Sequence, residues 1–329
     1  MKFELVINGL DHAWRRELGC NCERCISPRR NANTSLSILG FEQDLLTFHG
    51  LVDAGAGVAD SLLEIAELRT TPRLDWTFLT HWHPDHVADL ARIAVCTQRS
   101  RERLHLAPLK PNLWVREGSA VWLERQQPHA LRHFQIISSL EYHSKGRLLE
   151  AVPLPNTDLQ VTPVSLAHSS ADLHAPHGEE HLPCCAGFIL KTQQHKTALL
   201  WDMDATNTWL EQPNYAEQEA FIALQGCDQI FIDCNTWHYS QQANGQPASH
   251  ASFAMVSRIA RALEPRQTFL MHLSGHEDAL GNGFGWSDAR WQLEANSVWQ
   301  REGLRGSVHV PWIGQRISLG VATREAVAV

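Results

Sequence analysis

A chain of 329 residues, 43% of them hydrophobic, can bury a sizeable core without disulfides. Its formal net charge of -8 disfavours a nucleic-acid polymer as partner, because such affinity comes largely from basic side chains on phosphates. No apolar run reaches about 18 residues and the opening MKFELVINGL lacks the apolar core of a signal peptide, so the expectation is a cytoplasmic protein without a membrane partner.

Short β-like runs alternate with amphipathic helices along the whole length. KFELVI, TSLSILG and LLTFHGLVDAG read as strands, the last closing on a glycine turn. VADSLLEIAEL spaces Leu62, Leu63, Ile65, Ala66 and Leu68 for a helix. DWTFLT is a strand that runs into LTHWHPDH, and HVADLARIAV then reads as a helix, with Pro84 at a permitted first-turn position. The stretch from about 98 to 150, rich in Arg, His, Trp and Pro, is expected to be an insertion. A second insertion is expected at 169–185, SSADLHAPHGEEHLPCC, a polar loop. Later strands are LQVTPVSL, AGFILKT, KTALLWD, DQIFIDC and QTFLMHL; later helices are NYAEQEAFIAL, HASFAMVSRIARAL and SDARWQLEANSVWQREG. No linker or internal repeat divides the chain, so one domain over 1–329 is expected.

Two clusters carry chemistry. In LTHWHPDH, His81, His83, Asp85 and His86 fall within six residues. A His-x-His pair at a strand end points both imidazoles the same way, because strand side chains alternate. The turn through Pro84 returns Asp85 and His86 to the same space, so one turn can line two adjacent metal pockets. Imidazole with carboxylate suits Zn, Mn or Fe(II). In GCNCERC, the thiols of Cys20, Cys22 and Cys25 suit a thiophilic ion such as Zn, which wants a fourth ligand in a closed structural site. In a reducing compartment, thiols or metal ligands are expected of the cysteines before disulfides.

The histidine stretch resembles the signature of the metallo-β-lactamase superfamily, whose other motifs follow in order. LVDAGAG ends a strand with Asp53, which the family uses to buttress the metal turn. VSLAHSS supplies His168, ALLWDMD supplies Asp202 with Asp204 as its rival, and TFLMHLSGH supplies His272. The resemblance implies a four-layer αβ/βα sandwich with two divalent metal ions, Zn or Mn, at one edge. One ion would sit on His81, His83 and His168, the other on Asp85, His86 and His272, with Asp202 between them.

The cysteine cluster ahead of an intact site is similar to the cyclic phosphate phosphodiesterases of the carbon–phosphorus lyase pathway, whose structural zinc takes a His just after the last active-site His. His276 stands there. The quinone-cofactor biosynthesis members also have a cysteine knuckle, but with an eroded metal motif, and rank second. The function implied is hydrolysis of a small cyclic or nucleotide-like phosphodiester, with Asp85 and His250 as catalytic residues. A His can protonate a leaving alkoxide. His250 lies in ASHASF, at the start of a predicted helix capped by Ser249, and the phosphodiesterases have a His in the matching segment. His238 is a weaker candidate for that role. His174, His177 and His181 read as solvated or lid residues, and Cys184 and Cys185 as packing. The alternatives are a lactone or thioester hydrolase of the same fold, or a non-catalytic accessory protein of cofactor biosynthesis. A transfer-RNA nuclease would need a basic arm, which is not evident. Members of the subfamily are often dimers, so a homodimer is an expectation of the resemblance.

Overall fold

The computed structural model describes residues 1–320 apart from 15, 140–142, 144, 175–180, 239–246, 275 and 277–281. Two mixed sheets pack face to face with helices outside them. The strands of the first half are β1 (Lys2–Gly9), β2 (Ser35–Glu42), β3 (Leu45–Val52), β4 (Trp76–Phe78), β5 (Asn112–Arg116) and β6 (Gln135–Ser139). Those of the second half are β7 (Gln160–Ser165), β8 (Leu173–His174), β9 (His181–Leu182), β10 (Ala186–Lys191), β11 (Lys196–Leu200), β12 (Gln229–Asp233), β13 (Gln267–Met271), β14 (Ser307–His309) and β15 (Arg316–Ser318). The first sheet runs β15-β1-β2-β3-β4-β5-β6, the second β14-β13-β12-β11-β10-β7, and β8 pairs with β9. Strands β3 to β6 are mutually parallel, as are β11 to β14.

Period-two alternation assigns the side chains to layers. On β1, Phe3, Leu5 and Ile7 enter the core between the sheets, while Val6 faces the opposite layer. On β2, Leu36 and Ile38 do the former and Leu39 the latter. The outer layer of the first sheet holds α1 (Val58–Leu62), α2 (Ala66–Thr70), α3 (Pro84–Val87) and α4 (Leu90–Arg103), whose Val58, Leu62, Val87, Leu90 and Ile93 pack together with Leu51 and Leu79.

Three expectations change. VADSLLEIAEL is two short helices, because Ile65 takes an extended conformation (φ -74°, ψ 108°) that buries it and breaks the helical run. The stretch around 98–150, expected as an insertion, is built into the first sheet. Leu113, Trp114 and Val115 of β5 are buried on both faces, which a parallel strand between neighbours requires. The third concerns the helix after ASHASF, Phe253–Leu263. Its cap is Ser252, whose hydroxyl accepts from the Met255 amide, so Ser249 is not the cap and His250 lies in the loop before the helix. Among the described residues no helix is long and apolar enough to cross a membrane.

Candidate metal centre

Parallel strands deliver their ends to one edge, and the site is assembled there. Asp53 follows β3, His81 and His83 follow β4, His168 follows β7, Asp202 follows β11, Asp233 ends β12 and His272 follows β13. Asp53, Asp202 and His272 all have left-handed backbone, with φ of 58°, 57° and 58°. Each such residue costs about 1–3 kcal/mol, and such strain clusters at functional sites.

The side chains meet in two groups that share one carboxylate. His81, His83, His168 and Asp202 form one, with donor atoms all within 4.8 Å of one another; Asp85, His86, Asp202 and His272 form the other. Asp202 Oδ2 lies 2.7 Å from His86 Nε2 and 3.2 Å from His81 Nε2, and its Oδ1 lies 3.3 Å from His168 Nε2. Asp85 Oδ2 is 3.4 Å from both His86 Nε2 and His272 Nε2. Nitrogens and oxygens at these separations, converging on a point, are what cations would organise. His81 Nε2, His86 Nε2 and Asp202 Oδ1 are buried without a well-aligned hydrogen-bond partner among the described residues, so the donor set fits divalent metal.

Burial opposes the charge of Asp202, but His168, His272, His81 and His250 outweigh it and hold its pKa well below the carboxylate range. Burial likewise opposes a charged His86, yet the carboxylates of Asp85, Asp53 and Asp202 raise it well above the usual range. His168, with burial dominant, falls to about 4.

Asp53 buttresses the turn. Its carboxylate accepts from the Thr80 amide (2.8 Å), the Thr80 hydroxyl (2.9 Å) and Trp201 Nε1 (2.8 Å), and it meets His86 Nδ1 at 2.8 Å. That last bond turns His86 Nε2 toward Asp202. Gly55 has no alternative: a Cβ there would lie 1.7 Å from the Asp85 carbonyl oxygen. Asp204, the rival carboxylate, is committed elsewhere, accepting from the Ser169 amide (3.1 Å) and the Thr206 amide (2.9 Å).

His250 Nδ1 stands 3.0 Å from Asp202 Oδ1 and 3.3 Å from Asp233 Oδ2. Burial opposes its protonation, and those two carboxylates overcome it, raising its pKa well above the usual range. His238 is exposed beside Trp237, outside these donor groups. His177 and the side chains of His174 and His181 lie outside the described residues. Cys184 and Cys185 are buried, and Cys185 donates to the Asp202 carbonyl, bracing that turn.

Two residues of the site were not anticipated. Asp233 accepts from the Met203 amide (3.0 Å) and reaches toward His250 and His272. An acid closing a buried strand, QIFID, was the signal available. His12, in the loop after β1, packs edge-on against His250 and His272 with ring centroids 4.8 and 4.9 Å away. Burial and those two rings push it down to about 3. A lone His after a strand carries no pattern that would have singled it out.

The three cysteines gather around His276. Cys20, Cys22 and Cys25 place their sulfurs 3.8, 3.3 and 3.2 Å from His276 Nε2. Nitrogen and sulfur ligands of one tetrahedral zinc sit about 3.5 Å apart, so the four donors fit that ion. Burial raises the Cys22 thiol, but hydrogen bonds from the Cys25 amide and His276 bring it down to about 7.

No curated protein sequence matches the chain. Solved structures do match in fold. The metallo-β-lactamase fold protein YhfI from Bacillus subtilis superposes with TM-score 0.62 at 15% identity, over 97% of this chain and 100% of that one. A diphosphatase of the PhnP family gives 0.61 at 17%, over 97% of each chain. Zn(2+)-bound PqqB from Methylobacterium extorquens gives 0.62 at 15%, over 95% of this chain and 99% of that one. The architecture is thus the metallo-β-lactamase fold, two mixed sheets flanked by helices. A family described as β-lactamase superfamily domain matches residues 50–273, from within β3 to just past His272, and the chain belongs to that superfamily.

Proposed function

We propose that the chain is a metal-dependent hydrolase of a small phosphodiester. His81, His83 and His168 are assigned to one divalent ion, Asp85, His86 and His272 to the other, and Asp202 to both. The observation that carries the reading is that double membership of one buried carboxylate. A pair of divalent ions on such a donor set supplies, when bound, a water that ionises near neutral pH and positive charge for a phosphoryl oxygen. The chain's own residues orient the rest. Asp53 holds the His86 ring, Asp233 sits beside His250 and His272, and His250 is assigned the proton for the leaving oxygen. The cysteine cluster and the likeness to a diphosphatase favour a phosphoryl substrate over a lactone.

The test is turnover of chromogenic phosphodiester, lactone, thioester and β-lactam substrates by protein loaded with Zn or Mn. Phosphodiester hydrolysis that a chelator abolishes is expected. Lactone or thioester hydrolysis without it would move the assignment within the superfamily. Inertness toward every substrate would favour an accessory role.

Cys20, Cys22, Cys25 and His276 are assigned one structural zinc. Cys22→Ser and His276→Ala should each lose about one zinc per chain and a few kcal/mol of stability, roughly 3–6 °C in Tm for a chain this long. Turnover per folded molecule should change little. A His276→Ala protein with unchanged Tm and zinc would remove His276 from the ligand set.

A further inference from the structure

We propose that His12 contacts the substrate, its Nε2–H donating a hydrogen bond to a phosphoryl oxygen of the ester; this rests on the phosphodiesterase reading above. No motif of the metal site includes this residue. Its ring stands edge-on to both His250 and His272, with interplanar angles of 81° and 88°. A ring nitrogen of His12 lies within 4.8 Å of ring nitrogens of both. Nδ1 accepts from the Trp14 amide at 3.2 Å, which leaves the proton on Nε2. His12 therefore serves as a neutral donor, and no proton transfer is asked of it.

The loop that carries it is clamped more heavily than a surface turn needs. The His12 amide donates to the Leu273 carbonyl (3.2 Å), and the Leu273 amide to the Leu10 carbonyl (3.0 Å), so His12 is in register with the residue after His272. Asp11 accepts from Arg29 (2.6 Å), lies 3.8 Å from Arg24 and accepts from the Ala32 amide (3.3 Å). Arg24 is buried and also bonds the Trp286 carbonyl and Asp288. A buried ion cluster gives little net stability against well-packed apolar residues, but it fixes a geometry. The geometry fixed here is that of the His12 backbone beside the metal centre.

His12 lines a polar cleft of about 290 Å³ together with Arg16, Asn31 and Asn33.

Two variants separate a donor from a packing role. His12→Phe keeps a ring without the donor, and His12→Gln keeps an amide donor near the Nε2 position. In the metal-loaded full-length chain, inorganic phosphate binding is measured by calorimetry, alongside kcat and KM for bis(p-nitrophenyl) phosphate. His12→Phe should bind phosphate about 10-fold more weakly and lose about 10²-fold in kcat/KM, the scale of one lost donor to developing charge. His12→Gln should recover both to within a few-fold, and metal content should match the wild type in each. Equal impairment of the two variants, unchanged phosphate binding in His12→Phe, lost metal, or no phosphate binding by the wild type would each overturn the proposal. Phosphate binding that follows the donor, without diester turnover, would keep His12 and retire the phosphodiesterase. Diester turnover with phosphate binding indifferent to residue 12 would do the reverse.

Discussion

Asp202→Ala is expected to remove both active-site ions and all measurable turnover together. The wild-type chain should carry about three ions, two at the shared site and one at the cysteine cluster; the variant should carry about one. Residues that merely orient a ligand cost about 10–100-fold in metal affinity when lost. Asp202 belongs to both donor groups and is the anion that balances four imidazoles, so its loss should exceed that range. Asp204→Ala provides the contrast. Its carboxylate serves the Ser169 and Thr206 amides, so the variant should keep about three ions and lose about 1–3 kcal/mol of stability from unsatisfied donors. Elemental analysis and thermal melts of the two proteins check both statements, and exchanged outcomes would show that Asp204 is the shared ligand.

His250→Ala should lower kcat by about 10²–10⁴-fold on a diester with an alkoxide leaving group, the usual contribution of a general acid. With p-nitrophenolate, which departs without a proton, the loss should be far smaller. The placement of His250 between Asp202 and Asp233 gives it carboxylates that favour the protonated ring. Metal content should stay near the wild-type value, since His250 is absent from the two donor groups assigned to the ions. Equal losses on both substrates would mean that His250 positions substrate or ligands, and the acid role would be dropped.

The metal-binding edge was legible in the sequence because each element there obeys a local rule. A buried strand ends, and a His or Asp follows it: Asp53, His81, His168, Asp202 and His272 all fit that description. The choice of Asp202 over Asp204 was not legible, because two acids separated by Met203 at a strand end look alike. The left-handed backbone at Asp202, and the amides that claim Asp204, favour Asp202. The role of 98–150 was also hidden. β5 and β6 have five residues each and follow arginine-rich or proline-rich segments, so their place in the sheet depends on pairing with neighbouring strands; that pairing buries β5 and leaves β6 as the part-exposed edge. His12 joins the site through pairing of its loop with Leu273, a long-range contact that no local pattern announces.

The convergence of three thiols on His276 has a consequence for how the chain is made. Cys25, the nearest of the three in sequence, precedes His276 by 251 residues. At about 5–20 residues per second, ribosomes would need roughly 12–50 s to span that distance. Throughout that interval the nascent N-terminus presents an unfinished three-sulfur site, open to oxidants and to competing thiophilic ions. The Asp11–His12 loop, clamped by Leu273 and by Arg24 of the same knuckle, cannot take its final place sooner. The first segment synthesised is therefore among the last to become native, and the yield of active protein should depend on zinc supply during translation itself.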